Sequence, residues 1–375
     1  MAIRPLTMPK WGLSMTEGQV AAWLVDEGEA VNRNQDLVEI ETTKINNVYE
    51  SPVAGTLRRR VAGEGATLPV GALLAVFAEE SVAEAEIDAF VADFQANFVP
   101  EEADAEGAAE SGPQSVEIAG RRVAYHDRRQ GVEDGPPLLL LHGFGGDKDN
   151  WLFNIDAWGE TRRVLAPDLP GHGESAREVG AADLASLTGD VLAFLDALEV
   201  DRVHVAGHSL GGAIAISLAR AAPQRVASLV LIAPAGLGGP VNDDYLSGFI
   251  AAERRKELKS VLQMLFKDPG LVSKDMLEGV ARFKRIDGSA EALRAIRDGV
   301  FPGGRPADDL VAALAGFGGP VLAIWGESDR IVPRPVETVP GNVALETIDN
   351  AGHMPQLEAA SRVNALVGEF LAGAV

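Results

Sequence analysis

Apolar and polar positions follow two different patterns along this 375-residue chain, and the change comes near residue 80. Before it, short β-type segments at residues 20–25, 36–41, 55–61 and 73–77 alternate with turn signals rich in glycine and proline. Short strands at this spacing are typical of a small all-β sandwich or barrel. We therefore predict a small all-β module over residues 1–80.

Residues 81–115 connect this module to the rest of the chain. Apolar side chains recur there at helical spacing, at Ile87, Phe90, Val91, Phe94 and Phe98. This period predicts an amphipathic helix over residues 84–98, whose apolar stripe packs on one of the two domains or, alternatively, is available to a partner. Residues 100–113 are acidic and small and lack aromatic side chains, which predicts a flexible linker.

From residue 116 to residue 375, strand-like and helical patterns alternate. After a hairpin over residues 116–127, mostly continuous apolar runs predict strands at residues 137–141, 163–167, 202–206, 228–232, 321–325 and 344–348. Apolar runs separated by helices predict a parallel sheet covered on both faces, with ligands bound beyond the carboxyl ends of the strands. Helical segments such as 246–264 and 290–299 interrupt the alternation, so residues 235–305 are predicted to form a cap.

Three candidate catalytic residues follow predicted strands of this second region. Ser209 is the serine of a Gly-x-Ser-x-Gly motif at residues 207–211, where flanking glycines permit a sharp strand-to-helix turn that presents the hydroxyl. Asp329 and His353 follow the last two predicted strands, in that order. A serine with a histidine and a carboxylate is an arrangement for nucleophilic acyl transfer.

Other polar residues in this region are assigned structural roles. His142, His172 and Asp168 are predicted to shape loops, and His204 is predicted to lie in the core or at an interface. His208 is interpreted as a spacer within the sharp turn. No group of histidine, aspartate and glutamate has the spacing of a metal site, so no metal is predicted.

Composition and charge narrow the functional classes. The formal net charge of −22 argues against a nucleic-acid or anionic-membrane partner, because phosphate binding depends mainly on lysine and arginine. Half of this charge lies in residues 79–110, which hold eleven acidic and no basic side chains. The absence of cysteine excludes disulfides and a cysteine nucleophile. The sequence shows neither a signal peptide nor a membrane span, so a cytoplasmic location is expected.

Three stretches of the first module carry a family resemblance. Residues 8–18 (Met-Pro-Lys-Trp-Gly-Leu-Ser-Met-Thr-Glu-Gly), residues 41–45 (Glu-Thr-Thr-Lys-Ile) and residues 51–55 are similar to lipoyl domains of 2-oxo acid dehydrogenase complexes. The resemblance implies a barrel-sandwich hybrid fold, with lipoic acid joined to Lys44 at a hairpin tip by a lipoate-attaching enzyme. Thr43 stands where such domains usually have aspartate. Biotin domains, the competing family, flank their lysine with methionines, which are absent around Lys44.

The chain order serine, aspartate, histidine is that of the α/β-hydrolase family, and this resemblance covers residues 116–375. It implies that His353 takes the proton from Ser209, while Asp329 orients the imidazole and stabilises its charged form. The expected oxyanion donors are the backbone amides of Leu210 and of Phe144, the latter in a glycine-rich loop. The expected architecture is thus multidomain, with an all-β lipoyl domain and an α/β-hydrolase fold bearing a helical cap.

The two regions together resemble the acetyltransferase components of bacterial acetoin dehydrogenase complexes. Residues 144–154 and the tripeptide Phe283-Lys284-Arg285 carry this resemblance. It implies acetyl transfer from dihydrolipoyl-Lys44 to coenzyme A, through an acyl-Ser209 intermediate. The implied partners are a thiamine-diphosphate-dependent dehydrogenase component and dihydrolipoyl dehydrogenase, and an oligomer is expected. The His-x-x-x-Asp-Gly signature of the usual acyltransferase component is absent.

Two alternatives remain open from the sequence. The chain is alternatively a thioesterase or carboxylic ester hydrolase with an attached lipoyl domain, or a lipoyl carrier whose hydrolase-like domain serves as a scaffold. The acyl acceptor, thiol or water, separates transferase from hydrolase, and no motif dedicated to coenzyme A is present.

Overall fold

A computed structural model describes residues 3–9, 15–33, 35–42, 46–98, 114–129, 135–306, 308–335 and 339–374. The chain forms two compact units, one comprising residues 1–110 and 273–275 and the other comprising residues 111–272 and 276–375. Each unit is described by itself. Within the described ranges, no helix is both long and apolar enough to cross a membrane.

The first unit consists of two four-stranded sheets. Their strand orders are β1-β8-β6-β3 and β5-β4-β2-β7, and every pairing is antiparallel. The strands are β1 Ile3–Thr7, β2 Glu17–Trp23, β3 Ala30–Val31, β4 Asp36–Glu41, β5 Asn46–Glu50, β6 Gly55–Arg60, β7 Thr67–Pro69 and β8 Leu73–Ala78. The four predicted strands correspond to β2, β4, β6 and β8. The other four were missed because two span only two or three residues and the sequences of β1 and β5 are interrupted by polar residues or proline.

The hairpin predicted to carry Lys44 is formed by β4 and β5. In their antiparallel register Glu41 pairs with Asn46. Lys44 itself lies outside the described residues, as does the predicted linker over 100–113. The attachment of lipoic acid to Lys44 remains a prediction.

The predicted amphipathic helix is present as α1, Glu84–Asn97. Its apolar stripe packs on the first module: Ile87 is fully buried and belongs to a cluster with Leu73 and Val76 of β8. On its polar side, Glu84 forms ion pairs with Arg58 and Arg59 of β6. The helix is therefore part of the first unit, in agreement with packing on a domain rather than exposure for a partner.

The second unit is built on a sheet that has eight strands within the described ranges, in the order β16-β15-β14-β13-β11-β12-β10-β9. The strands are β9 Gln114–Ile118, β10 Arg121–Arg128, β11 Leu138–Leu141, β12 Val164–Pro167, β13 Val203–His208, β14 Val226–Ile232, β15 Val321–Gly326 and β16 Val343–Ile348. The strands from β11 onward are parallel, and every residue of β11 to β15 is buried. The prediction of a parallel sheet covered on both faces is confirmed.

Helices follow the strands and cover the sheet. They are α2 Ile155–Gly159, α3 Leu184–Ala197, α4 Leu210–Ala221, α9 Leu310–Ala315, α10 Pro355–Glu358 and α11 Ala360–Gly373. Between β14 and β15 the chain inserts α5 Asp243–Ala251, α6 Arg255–Leu262, α7 Lys274–Lys284 and α8 Ser289–Val300. These four helices lie in the segment predicted as a cap, and the predicted helix over 290–299 corresponds to α8.

One helix prediction in this segment was wrong. The helical segment expected over residues 246–264 is broken between α5 and α6, at residues 252–254. Lys284 Nζ donates hydrogen bonds to the carbonyl oxygens of Phe249 and Ile250. These carbonyl groups lie in the last turn of α5, where they have no N–H partner within the helix. The carboxylate of Glu257 accepts the N–H of Arg254 at 3.2 Å and caps α6. Lys284 from α7 and Glu257 from the first turn of α6 thus supply partners that a continuous helix would have provided through its backbone.

Candidate active site

Ser209 lies in a strained turn between β13 and α4. Its backbone has φ 52° and ψ −112°, a region that side-chain-bearing residues rarely adopt. A Cβ added at Gly207 would lie 2.3 Å from the carbonyl oxygen of Gly211, and one added at Gly211 would lie 2.1 Å from that of Leu141. Only glycine fits these two positions, so the motif is required by the close approach of the turn to the neighbouring backbone.

Asp329 and His353 meet at the carboxyl ends of β15 and β16. His353 Nδ1 lies 2.8 Å from Asp329 Oδ2, and both side chains are almost fully buried. The other carboxylate oxygen of Asp329 accepts the N–H groups of Ile331 and Val332 at 2.8 and 3.0 Å. The carboxylate is thereby fixed in place. It bonds Nδ1 of the imidazole, which leaves Nε2 available to accept a proton.

Ser209 and His353 line the same cavity. It has an empty volume of about 530 Å³ and is walled mainly by apolar side chains of the inserted helices and adjoining loops, among them Phe249, Leu262, Leu265, Phe266, Met276 and Val280. Within the described ranges Ser209 Oγ makes no hydrogen bond. The hydrogen bond between a catalytic nucleophile and its general base commonly forms or shortens only when substrate binds. The arrangement fits a small acyl group at the hydroxyl with an aliphatic arm along the walls.

Of the two predicted oxyanion donors, Leu210 follows Ser209 in the chain and Phe144 lines the same cavity. Leu210 is the first residue of α4, where a backbone N–H has no acceptor within its own helix. Phe144 follows β11, which pairs with β13 so that Leu141 lies opposite Gly207. Tyr245 donates a hydrogen bond to the Phe144 carbonyl oxygen at 3.2 Å. Their role as oxyanion donors remains a prediction.

His208 and Glu358 hold the loop that carries His353. His208 Nε2 donates to the carbonyl oxygen of His353 at 2.8 Å, and burial together with the neighbouring His353 keeps the pKa of His208 well below its ordinary value. Glu358 accepts the N–H groups of Gly352 at 2.7 Å, Met354 at 3.3 Å and Lys267 at 2.8 Å. The interpretation of His208 as a mere spacer was incomplete. Glu358 gave no sequence signal, because its partners are backbone groups.

We expect Glu358→Gln to lower the free energy of unfolding by about 1–3 kcal/mol and to lower kcat more than it raises KM. The carboxylate accepts from backbone N–H groups through both oxygens, whereas the glutamine amide replaces one of these oxygens with a donor NH2, so at least one of the N–H groups loses its acceptor. Chemical denaturation and steady-state kinetics measure the two effects. Glu369→Gln, the same change at an exposed position of α11, is the matched control; equal effects of the two substitutions would contradict this role for Glu358.

The histidines and the aspartate assigned to loops behave as expected. His142 Nδ1 donates to the Gly143 carbonyl at 2.9 Å and its Nε2 accepts the N–H of Leu169, while burial lowers its pKa to about 4. His172 bonds the Pro170 carbonyl at 3.0 Å, and burial lowers its pKa to about 3. All three of these partners are loop backbone groups.

His204, the histidine predicted to lie in the core or at an interface, bonds Ser228 Oγ at 2.7 Å inside the sheet. Asp168, fully buried, accepts the backbone N–H groups of Lys148 and Glu174. Asp168 also forms an ion pair with Lys148 Nζ at 3.3 Å, and Lys148 pairs with the Glu174 carboxylate. This network supports the glycine-rich loop that contains Phe144. Within the described ranges, no group of three or more histidine, aspartate and glutamate side chains is arranged to hold a metal ion.

Asp147, next to this network, gives a pH-dependent prediction. Burial and the carboxylates of Asp149 and Asp168 raise its pKa to about 7, whereas an aspartate in an unfolded chain titrates near pH ~3.9. The folded state therefore binds the proton more tightly, and the stability this provides at low pH is lost as pH rises toward and through 7.

We expect the stability advantage of Asp147→Asn over the wild type to grow by about 2–3 kcal/mol between pH 5 and pH 8. The asparagine oxygen retains the bond that Asp147 accepts from the Asp149 N–H at 2.9 Å, but the side chain does not ionise. Thermal unfolding across this pH range measures the difference. Asp183→Asn, at the exposed first-turn cap of α3, controls for the loss of a capping carboxylate. A stability difference that does not change with pH would contradict the prediction.

Comparison with known proteins gives the same division of the chain. A family described as biotin-requiring enzymes matches residues 4–77, and a family described by the alpha/beta hydrolase fold matches residues 136–360. A solved meta-cleavage product hydrolase from Pseudomonas fluorescens IP01 is similar to the second part, with a TM-score of 0.62 and 27% identity, covering 71% of this chain and all of that one.

Full-length relatives also match. The dihydrolipoyllysine-residue acetyltransferase component of the acetoin cleaving system of Pseudomonas putida is 48% identical over 98% of both chains. The protein of the same name from Cupriavidus necator is 45% identical over 99% of this chain and 98% of its own. A 2-hydroxymuconate semialdehyde hydrolase from a Pseudomonas species is 31% identical over 70% of this chain and 97% of its own.

Proposed function

Because the chain belongs to the family of dihydrolipoyllysine-residue acetyltransferase components of acetoin cleaving systems, we propose that it transfers an acetyl group from a dihydrolipoyl thioester to coenzyme A. The observation that carries the proposal is the presence in one chain of a lipoyl-type domain and of a cavity lined by both Ser209 and His353, with His353 bonded to Asp329. Lipoic acid attached to Lys44 would supply the acetyl thioester to this cavity.

In the first half of the reaction, Ser209 Oγ attacks the carbonyl carbon of the acetyl thioester substrate. His353 Nε2 takes the hydroxyl proton as the C–O bond forms, and Asp329 stabilises the resulting imidazolium. The N–H groups of Leu210 and Phe144 stabilise the negative charge on the tetrahedral oxygen. The C–S bond then breaks, His353 returns the proton to the leaving sulfur, and acetyl-Ser209 remains.

In the second half, the thiol of coenzyme A gives its proton to His353 and attacks the acetyl carbonyl. The C–O bond to Ser209 breaks, and His353 returns the proton to the serine oxygen. A thiol succeeds over water here only if the cavity limits access of water, and the apolar side chains of Leu262, Phe266 and Val280 in its walls support that condition.

The proposal extends to the assembly in which this reaction takes place. The relatives are named as components of an acetoin cleaving system, so the chain is proposed to act with other enzymes of such a system. The expected partners are a thiamine-diphosphate-dependent dehydrogenase component, which would load the acetyl group, and dihydrolipoyl dehydrogenase, which would reoxidise the arm. Hydrolysis is the competing function, since the second domain is also similar to a hydrolase.

The identity of the acceptor tests the proposal. Lipoylated full-length protein is incubated with acetyl-dihydrolipoamide, with and without coenzyme A, and acetyl-coenzyme A and acetate are quantified separately. We expect acetyl-coenzyme A as the main product; acetate released at the same rate whether or not coenzyme A is present would show a hydrolase instead. Intact mass should show one lipoyl adduct that is lost in Lys44→Arg, and this variant should still use free acetyl-dihydrolipoamide.

A further inference from the structure

One segment that contributes to the cavity wall has a charge opposite to that of the protein as a whole. Between residues 252 and 286 the chain holds nine lysines and arginines against five aspartates and glutamates, in a protein whose net charge is −22. Positive charge concentrated in one segment of an acidic protein creates a local potential that attracts anions. The segment contains helices α6 and α7.

One ion pair joins the two helices, and two further cations lie one helical turn from it. Arg255 of α6 bonds Glu278 of α7, with 2.9 Å between NH2 and Oε1, which brings the two helices together. Lys259 lies four residues after Arg255 on α6, and Arg282 lies four residues after Glu278 on α7, so each is one helical turn from this pair. All three cations are exposed. We call Arg255, Lys259 and Arg282 the basic cap surface.

The acidic side chains of α6 and α7 do not neutralise all the positive charge of the basic cap surface. In the part of the chain that the structure describes, Lys259 and Arg282 form no ion pair, whereas Arg163 and Arg121 are each paired with an aspartate. Acidic residues outnumber basic ones by 55 to 33, so unpaired cations are not a consequence of composition. Two of the three charges therefore remain available to an anionic ligand.

The same two helices line the cavity at Ser209. Leu262 of α6 and Met276 and Val280 of α7 face it, while Arg255, Lys259 and Arg282 occupy the solvent-exposed flanks. An α-helix with its side chains is about 10 Å across, so one element separates the reactive serine from the basic cap surface. A ligand that binds both the cavity at Ser209 and the basic cap surface has a reactive end, a long neutral arm and a polyanionic end.

We propose that the basic cap surface binds the phosphates of coenzyme A while its thiol reaches into the cavity. This inference rests on the proposed function, because coenzyme A is its acceptor. The 3′-phosphate and the pyrophosphate provide the polyanionic end, and the pantetheine arm provides the neutral span along the apolar wall. Lysine and arginine at the surface bind such groups by charge and hydrogen bonding, with a contribution that falls as salt concentration rises.

The principal test compares acceptors that differ in phosphate content. In full-length lipoylated protein carrying Arg255→Gln, Lys259→Gln and Arg282→Gln, we expect KM for coenzyme A to rise about tenfold and KM for pantetheine, which lacks phosphates, to remain unchanged. Raising the ionic strength should increase KM for coenzyme A in the wild type and have little effect in the triple variant. Equal changes for both acceptors, or no change for either, would overturn the proposal.

Two further variants separate an electrostatic effect from damage to the cap. Glu278→Gln removes the central carboxylate, so KM for coenzyme A is expected to fall about two- to threefold, a gain that structural damage does not produce. Arg122→Gln combined with Arg362→Gln removes two exposed cations outside the cap and should leave KM unchanged. A rise in KM with Glu278→Gln would count against the basic cap surface.

Direct binding distinguishes failure of this inference from failure of the proposed function. The adenosine 3′,5′-bisphosphate fragment carries the phosphate end without a thiol, and calorimetry measures its binding whether or not acyl transfer occurs. Binding that is weakened about tenfold in the triple variant supports the surface even if no acetyl-coenzyme A is formed. If the triple variant instead alters KM only for the acidic lipoyl-bearing substrate, the surface recognises a protein and the assignment to coenzyme A is wrong.

Discussion

Replacing Ser209 with alanine is expected to lower acetyl transfer by at least about 10⁴-fold, with the free energy of unfolding within about 1 kcal/mol of that of the wild type. The substitution removes the attacking oxygen and leaves the cavity and the backbone amides in place. Alanine has the same Cβ as serine, so the strain at φ 52° is unchanged. Activity with acetyl-dihydrolipoamide and coenzyme A, together with chemical denaturation, measures both quantities.

Ser217→Ala is the matched control for this experiment. Ser217 is buried in α4, the helix that begins after Ser209, but it does not line the cavity. Its loss should leave kcat within a factor of about two of the wild type, since the reacting groups are untouched. Rapid quenching of the wild type without coenzyme A should also trap one acetyl group on Ser209. Full transfer activity in Ser209→Ala would eliminate the acyl-serine mechanism and leave the carrier hypothesis.

Replacing Gly211 with alanine is expected to lower the free energy of unfolding by at least about 3 kcal/mol. The new Cβ would lie 2.1 Å from the carbonyl oxygen of Leu141, and that oxygen belongs to the backbone of β11 rather than to a movable side chain. Relief requires α4 to move away from β11 or the β11–β13 pairing to shift. Either movement displaces Ser209 from His353, so we also expect activity to fall with stability.

Gly189→Ala provides the control of opposite sign. Gly189 lies within α3 at an exposed position, and a Cβ added there has no neighbour within 4 Å. Alanine should therefore raise stability by about 1 kcal/mol through its higher helix propensity, with activity unchanged. Urea titration of both variants measures the contrast. A Gly211→Ala protein as stable as the wild type would mean that the turn and β11 are not packed as described.

The architecture was predictable because its strongest elements bury apolar side chains in regular patterns. The strands β11 to β15 are continuous apolar runs, and the amphipathic period of α1 is carried by residues such as Ile87 and Phe94. Elements with weak local patterns were missed or misjudged. Strands β3 and β7 are too short for a period of two to show, and the break between α5 and α6 depends on Lys284, a residue far along the chain.

The candidate site was predictable to a different degree for each residue. The flanking glycines identify Ser209 in the sequence, because close backbone contacts exclude any other residue at those two positions. Asp329 and His353 were inferred from chain order, and the structure places them 2.8 Å apart. The contacts of His208 and Glu358 have no such signature. They accept from or donate to backbone groups that any sequence provides, so only the folded loop reveals them.

Residue types and their order along the chain were enough to predict the two domains, the α/β-hydrolase order of Ser209, Asp329 and His353, and the resemblance around Lys44. Only the folded chain shows which groups line one cavity, that Glu358 bonds the loop carrying His353, and that the basic cap surface lies on helices that line the cavity. These features could not be read from local patterns, because burial, ion pairing and cavity shape depend on contacts between residues distant in sequence.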